Sequence, residues 1–201
     1  VHGLCYCISL GNDAFRALLE GRRRARTVRA HKIVDRLNEL GMRVEFDDVA
    51  RLADEGNIGR PHIARALVAA GYAADVREAF DRWLHEGGPA YVKRDSLSPA
   101  DAIAAIKAAG GVPVLAHPGR IRDQSVIAEL IEAGLEGLEC YYPEHSPEQT
   151  ERYLDLARRH GLIATGGTDF HGPGSTHRTS IGGMPVPVEA AEQLLARSGQ
   201  G

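Results

Sequence analysis

Short apolar segments alternate with helical segments along residues 98–197, and this alternation limits the folds that the chain can adopt. The predicted strands are residues 112–116, 137–141 and 162–165, and the predicted helices are residues 98–109, 123–133, 146–160 and 187–196. Consecutive strands that are separated by one helix pair in parallel, because the helix returns the chain to the starting edge of the sheet. The sequence therefore predicts an α/β fold with a parallel sheet or a barrel of βα units.

Local sequence signals mark the ends of these helices. Ser98 precedes Pro99. Serine is a preferred N-cap residue, and proline is preferred at the first helical position. Ser146 and Gln149 have the spacing of a capping box, and Gly161 follows at the predicted end of the same helix. These signals predict short, well-bounded helices between the strands.

The first part of the chain has a different pattern. Residues 3–10 have the composition of an apolar strand, and residues 13–88 contain several successive helical segments with no clear strand. We therefore predict that residues 13–88 form a helical insertion subdomain, and that residues 1–12 and 89–201 form the α/β part of the protein.

Composition excludes several classes of protein. The formal net charge is −3, so the chain as a whole does not have the charge of a polyanion-binding protein, although five arginines lie between positions 22 and 29. No apolar stretch reaches the ~20 residues of a membrane span, and three unevenly spaced cysteines argue against a disulfide framework. We expect a cytoplasmic protein with no membrane or evident protein partner. Cys5 and Cys7 are expected to be small buried apolar residues, and a C-x-C metal site is the alternative.

Polar side chains follow each of the three predicted parallel strands. His117 comes directly after the first strand, His145 follows the second, and Asp169 and His171 follow the third. Because the carboxyl ends of parallel strands meet at one edge, these side chains can come together. Imidazole and carboxylate groups are ligands that suit Zn, Mn and Fe. The alternative is a flexible glycine-rich loop in which Asp169 and His171 bind nothing.

Several motifs resemble those of the polymerase and histidinol phosphatase (PHP) superfamily of metal-dependent phosphoesterases. LAHPGR at 115–120 and GGTDFHG at 166–172 look like its third and fourth motifs, and VHGLCYCISL at 1–10 resembles a region that holds a metal-binding histidine, here His2. Residues 59–94 and YYPEHSPEQ at 141–149 resemble the YciV / RNase AM branch, which includes nucleoside 3′,5′-bisphosphate phosphatases. The resemblance covers nearly the whole chain.

The resemblance implies a distorted (β/α)7-type barrel that is incomplete at the N-terminus and carries the helical insertion. It implies that His2, His117, Asp169 and His171 are metal ligands in a cluster of up to three divalent ions, with Mn expected and Fe or Zn as alternatives. The family's H-x-H pair, its nearby Asp and its bridging Glu have no counterpart in this sequence, so we expect weak or incomplete metal binding from the chain as given.

By the same resemblance, the expected reaction is hydrolysis of phosphate esters in 3′,5′-bisphosphate nucleotides or at the 5′ ends of short RNA. A second phosphate needs a second anion site, and the expected substrate-binding residues are Arg26, Arg29, Arg60 and His62. A solvated helix face is the alternative for each arginine. His145 is the expected catalytic proton donor, or else a polar residue that precedes a helix cap.

Two other functions stay open on the sequence alone. A different PHP phosphatase, such as a histidinol-phosphate one, is the first, although the helical insertion is typical of the nucleotide-directed branch. A non-catalytic PHP module or fragment is the second, although His117, Asp169 and His171 are all retained.

Overall fold

The computed structural model describes residues 1–53, 58–170 and 180–198, and the chain forms two compact units. The first unit comprises Val1–Phe15 and Leu97–Gly201, and the second comprises Arg16–Ser96. In chain order the elements are β1 (Gly3–Tyr6), α1 (Asp13–Glu39), α2 (Phe46–Arg51), α3 (Arg60–Ala69), α4 (Val76–Ala79), a π-helical turn (Phe80–Leu84), α5 (Pro99–Ala108), β2 (Val112–Leu115), a 3-10 turn (Pro118–Arg120), α6 (Ser125–Glu132), β3 (Gly137–Tyr141), α7 (Pro147–His160), β4 (Ile163–Gly166) and α8 (Glu189–Arg197).

The described part of the first unit has a four-stranded sheet in the order β1-β2-β3-β4. Strands β2, β3 and β4 run parallel, as the alternation of strands and helices predicts. Strand β1 pairs antiparallel with β2, and Gly3 lies opposite Leu115. The sequence pattern did not specify this direction, because β1 and β2 are joined by a long segment rather than by one crossover helix.

Apolar side chains cover both faces of this sheet. Leu115 and Leu138 belong to a core cluster with residues of α6 and α7, whereas Val114 and Ile163 pack with Leu194 of α8. All four residues of β2 are buried, which is typical of a parallel strand with helices on both faces. The apolar segments of the sequence therefore form β2, β3 and β4, and the carboxyl ends of these parallel strands lie at the same edge of the sheet.

The capping signals act as predicted in two of these helices. The Ser98 hydroxyl accepts a hydrogen bond from the Asp101 amide at 3.1 Å at the start of α5. The Ser146 hydroxyl accepts one from the Gln149 amide at 3.2 Å, while the Gln149 side chain accepts one from the Ser146 amide at 2.9 Å. Helix α7 ends at Gly161, whose φ of 63° is a left-handed conformation that glycine adopts without strain.

The cysteines differ from the sequence-based expectation. Cys140 is buried and burial raises its pKa to about 12, so its thiol is unreactive at neutral pH. Cys5 is exposed and Cys7 is half-buried, so the prediction that Cys5 is a buried apolar residue is wrong. The reason is that β1 is an edge strand in which alternate side chains face outward.

The second unit is a group of helices with its own apolar core. Leu37 of α1, Leu67 of α3 and Leu84 are fully buried in it. Helix α4 continues directly into the π-helical turn, in which the His85 amide donates to the Phe80 carbonyl at 2.9 Å. Across residues 1–53, 58–170 and 180–198, every helix is either too short or too polar to cross a membrane.

Candidate metal centre and arginine pocket

His2, His117 and Asp169 lie at the same edge of the sheet in the first unit. His117 follows β2 and Asp169 follows β4, while His2 precedes β1, which runs in the opposite direction. The His2 carbonyl accepts a hydrogen bond from the Ala116 amide at 3.1 Å, which holds His2 beside the end of β2. The antiparallel pairing of β1 therefore brings together two histidines that are 115 positions apart.

The two imidazole rings approach each other through their nitrogens. Nδ1 of His2 lies 3.2 Å from Nε2 of His117, and the rings meet edge to face with centroids 5.1 Å apart. Two imidazole nitrogens that bind one metal ion at about 2.1 Å lie about 3.0 to 3.4 Å from each other. The same separation suits a hydrogen bond between two neutral rings. The pair can therefore converge on one ion without moving apart.

His117 has an unusual backbone and a buried ring. Its φ of 28° and ψ of 65° are left-handed, which costs a non-glycine residue roughly 1–2 kcal/mol. The residue is 9 % exposed, and Nδ1 has no hydrogen-bond partner among the described residues. Burial lowers the pKa of His117 and favours the neutral imidazole, which is the form that binds metals.

A buried carboxylate supports the backbone of His117. Glu139 of β3 is 5 % exposed, and its Oε2 accepts a hydrogen bond from the His117 amide at 2.7 Å. Burial raises the pKa of Glu139, the bond from the His117 amide lowers it, and the charge of Asp169 raises it. Sequence reasoning missed Glu139. The available signal was a charged residue inside an otherwise apolar predicted strand, next to two strand ends that carry imidazole and carboxylate groups.

Tyr142 and Arg120 hold the carboxylate of Asp169. The Tyr142 hydroxyl donates to Oδ2 of Asp169 at 3.0 Å, and Nη1 of Arg120 lies 3.6 Å from the same oxygen. Arg120 also pairs with Glu144 at 3.6 Å and donates to the Tyr142 hydroxyl at 3.4 Å. Burial, followed by the hydrogen bond to Asp169, raises the pKa of Tyr142 to about 12. The hydroxyl therefore stays protonated and orients the carboxyl group of Asp169.

His145 lies beside this group, but main-chain atoms hold its ring. Nδ1 lies 3.0 Å from the Cys140 carbonyl oxygen and must carry a proton to bond it, while Nε2 accepts a hydrogen bond from the Gly119 amide at 3.2 Å. Both ring nitrogens are engaged, and this arrangement favours a structural role. The assignment of His145 as the catalytic proton donor stays a prediction.

We expect Gly119→Ala to lower the free energy of unfolding by about 1–3 kcal/mol through overpacking. A Cβ at this position would lie 2.7 and 2.8 Å from ring atoms of His145, and the ring cannot withdraw without losing its bond to the Cys140 carbonyl. Denaturant unfolding of the variant measures the loss. Gly11→Ala is the control, because the nearest atom to its added Cβ lies 3.9 Å away. Equal stability of Gly119→Ala and wild type would contradict the observed position of the ring.

The donor set fits a divalent ion in part. His2 and His117 offer two converging nitrogens. Asp169 is close enough for its charge to raise the pKa of His117, against the larger lowering by burial. Zn, Mn and Fe all accept imidazole and carboxylate ligands. Across 1–53, 58–170 and 180–198, no three His, Cys, Asp or Glu side chains are arranged to hold an ion, so a complete site needs further ligands. The remaining predicted ligand, His171, lies outside the described residues.

Five arginines of the second unit line a separate pocket of about 360 Å³. Three of them project from one face of α1 at four- and three-residue intervals, one begins α3, and one follows the π-helical turn in sequence. They are Arg22, Arg26, Arg29, Arg60 and Arg94. The lining also includes the carboxylate of Asp95, which pairs with Arg22 at 3.9 Å. Positive charge therefore predominates in this pocket.

Two of these arginines are held in place by main-chain carbonyls. Nε of Arg29 donates to the Val92 carbonyl at 2.7 Å, and Nη1 of Arg60 donates to the Leu84 carbonyl at 3.0 Å. The Arg60 guanidinium also lies 5.6 Å from the centre of the Phe80 ring. Burial, followed by the charge of Arg60, lowers the pKa of Arg29, although an arginine stays charged at neutral pH. These closely spaced guanidinium groups, held in place by main-chain carbonyls, can therefore bind an anion.

Two further residues of the second unit are His62 and Arg22. His62 is not among the residues that line the pocket, and its Nδ1 accepts a hydrogen bond from the Gly59 amide at 3.0 Å, which caps α3. Its assignment to substrate binding stays a prediction. Arg22 lines the pocket and is half-buried, because it turns back towards Asp95.

The chain is similar in sequence to curated proteins, although no family model matches it. It is 37 % identical over 183 residues to the 3′,5′-nucleoside bisphosphate phosphatase of Chromobacterium violaceum, which covers 86 % of this chain and 64 % of that protein. It is 30 % identical over 174 residues to the phosphoribosyl 1,2-cyclic phosphate 1,2-diphosphodiesterase of Eggerthella lenta, covering 86 % and 66 %. A 5′-3′ exoribonuclease of Salmonella typhimurium is 31 % identical over 178 residues, covering 86 % and 61 %. The chain spans less than two thirds of the length of each.

The fold and the site define a class: α/β proteins with imidazole and carboxylate groups at the carboxyl edge of a mainly parallel sheet. Two solved structures share this fold. One, from Bifidobacterium adolescentis, is assigned to the metal-dependent phosphoesterases and has a TM-score of 0.79 and 36 % identity, covering 98 % of this chain and 71 % of that one. An amidohydrolase structure from Chromobacterium violaceum with bound sulfate has a TM-score of 0.76 and 33 % identity, covering 98 % and 72 %. The chain belongs to the metal-dependent phosphoesterase family of the Bifidobacterium protein.

Proposed function

We propose that the protein is a metal-dependent hydrolase of nucleotide phosphate esters, with 3′,5′-bisphosphate nucleotides or the 5′ ends of short RNA as substrates. The observation that carries the proposal is the 3.2 Å approach of His2 Nδ1 to His117 Nε2 at the carboxyl edge of the sheet. The phosphatase, diphosphodiesterase and exoribonuclease relatives support it, because all three names describe hydrolysis of phosphate esters.

We also propose that the chain belongs to the PHP superfamily and to its YciV / RNase AM branch. The positions of His117 and Asp169 after parallel strands support this placement. In this proposal the first unit forms part of a distorted (β/α)7-type barrel, and the helical insertion predicted at residues 13–88 corresponds to the second unit, Arg16–Ser96.

The proposed ligands of the divalent ions are His2, His117, Asp169 and His171, with Mn expected among up to three ions. Bound metal ions supply charge for the phosphoryl oxygens and hydroxide at neutral pH. The neutral His117 ring offers a lone pair without first releasing a proton, and Tyr142 orients the Asp169 carboxylate. The Arg120 side chain is 46 % exposed beside Asp169, so its charge can also reach a phosphoryl group.

The arginine pocket is the proposed site for the second phosphate of the substrate. Arg26, Arg29 and Arg60 line it together, and the planar guanidinium matches two phosphate oxygens at once. A bisphosphate nucleotide and the 5′ end of RNA both carry a second phosphate one nucleoside away from the first, so one anion site can serve both substrates.

The direct test is a comparison of substrates on the protein expressed from its complete gene and supplied with Mn²⁺. We expect phosphate release from adenosine 3′,5′-bisphosphate or shortening of a 5′-phosphorylated oligoribonucleotide, at rates far above those with histidinol phosphate. A preference for histidinol phosphate would instead place the protein in a different branch of the superfamily. Hydrolysis of none of the three would support a non-catalytic module.

A further inference from the structure

Glu139 is a buried charged residue whose role the proposed metal ligands do not explain. It lies in the middle of β3 with 5 % of its surface exposed, among strand residues that are otherwise apolar or glycine. A buried carboxylate is unfavourable unless its charge is stabilised by hydrogen bonds. Its Oε2 accepts a hydrogen bond from the His117 amide at 2.7 Å, and both residues are buried.

The residue that receives this support has a strained backbone. His117 has a φ of 28°, which is rare for any residue with a side chain. This conformation turns the chain sharply between β2 and the 3-10 turn that follows, and it directs Nε2 of the ring towards Nδ1 of His2. A strained conformation persists only where its surroundings hold it, and a hydrogen bond to a charged acceptor is among the strongest single restraints available.

We propose that Glu139 is a positioning residue for the metal centre, because its carboxylate fixes the left-handed backbone of His117 and thereby aims the imidazole at His2. The inference rests on the proposed function, since it assigns His117 to a metal ion. Glu139 acts on the main chain of His117 through this hydrogen bond, and it is not itself a proposed metal ligand.

A substitution at Gly167 also tests the hydrogen bond between the His117 amide and Glu139. A Cβ at position 167 would lie 3.1 Å from Oε1 of Glu139, which is closer than an ordinary contact. Gly167→Ala therefore presses on the Glu139 carboxylate without changing its charge. We expect a weaker form of the Glu139→Ala effect from this variant.

The test compares Glu139→Ala with Glu139→Gln, because a glutamine oxygen can still accept the His117 amide while alanine cannot. For each variant, Mn²⁺ affinity is measured by calorimetry. NMR gives the His117 amide proton shift and the coupling between its amide and α protons, which reports φ. We expect Glu139→Ala to weaken Mn²⁺ binding about ten- to hundred-fold, as loss of a residue that orients a ligand does, and to shift both NMR signals. Glu139→Gln should stay within a few-fold of wild type.

Glu129→Ala is the matched control, because Glu129 is an exposed carboxylate on α6 of the same unit. The positioning role is wrong if Glu139→Ala leaves the His117 signals and Mn²⁺ affinity unchanged, or if Glu139→Gln loses as much affinity as Glu139→Ala. If Glu139→Ala does not fold, Glu139→Gln and Gly167→Ala decide the question. If wild type binds no Mn²⁺, the proposed function fails, while the NMR comparison still shows whether Glu139 holds His117.

Discussion

We expect His117→Ala to lower metal-dependent phosphoester hydrolysis by about 10³-fold or more, the equivalent of several kcal/mol of transition-state stabilisation by a bound ion. His117 offers a buried, neutral imidazole whose Nε2 faces a second imidazole at 3.2 Å. Alanine removes one of the two converging nitrogens, so an ion at this position would lose one of its proposed ligands. The measurement is kcat/KM for adenosine 3′,5′-bisphosphate with saturating Mn²⁺, on the protein expressed from its complete gene.

The control for this substitution is His160→Ala. His160 is an exposed histidine at the end of α7, so its loss should leave kcat/KM unchanged. Circular dichroism of both variants separates loss of the site from loss of the fold. A folded His117→Ala variant that keeps more than about a tenth of wild-type activity would remove His117 from the set of metal ligands.

The second large effect is expected at the arginine pocket. Arg60→Ala should raise KM for adenosine 3′,5′-bisphosphate about 10- to 100-fold, because a charge-assisted hydrogen bond contributes about 1.5–3 kcal/mol. The effect on a substrate with one phosphate should be small, since the pocket is proposed to bind the other. Added salt should reduce the difference between wild type and variant, because the attraction is screened. Steady-state kinetics with both substrates at two ionic strengths measure these effects.

Arg65→Ala is the matched control for Arg60→Ala. Arg65 is an exposed arginine of the same helix, α3, and it does not line the pocket. It should therefore leave KM unchanged for both substrates. Arg60→Lys adds a second comparison, because lysine keeps the charge but loses the planar fork, so an intermediate KM is expected. If Arg60→Ala raised KM equally for substrates with one and with two phosphates, this result would contradict the assignment of the pocket to the second phosphate.

Helix α7 and strand β3 show how much of the fold the sequence specified. The capping box at Ser146 and the glycine at Gly161 define both ends of α7, and β3 has the predicted bounds. These elements were predictable because their signals are local. The direction of β1 was not, because it depends on pairing with β2 across the whole of the second unit in sequence. Nothing in the local sequence distinguishes the π-helical turn at Phe80–Leu84 from an ordinary helix.

In the candidate site, too, the residues marked by local signals were predictable, whereas the contacts that depend on strand pairing were not. His117 and Asp169 were predictable from their places after strands, and the Arg26–Arg29 spacing indicated a shared helix face. The contact between His2 and His117 required the antiparallel β1, and the bond from the His117 amide to Glu139 required the register of neighbouring strands. Local pattern therefore gave the residue types, while long-range pairing set their geometry. The arrangement of His171 lies outside the described residues.

The most direct test of the central claim is the metal dependence of hydrolysis. The protein expressed from its complete gene is stripped with a chelator, and phosphate release from adenosine 3′,5′-bisphosphate is measured before and after Mn²⁺ is restored. We expect activity to fall to the background rate on stripping and to return in proportion to bound Mn²⁺. Full activity in the stripped, metal-free protein, or none at any Mn²⁺ concentration in a folded protein, would contradict it.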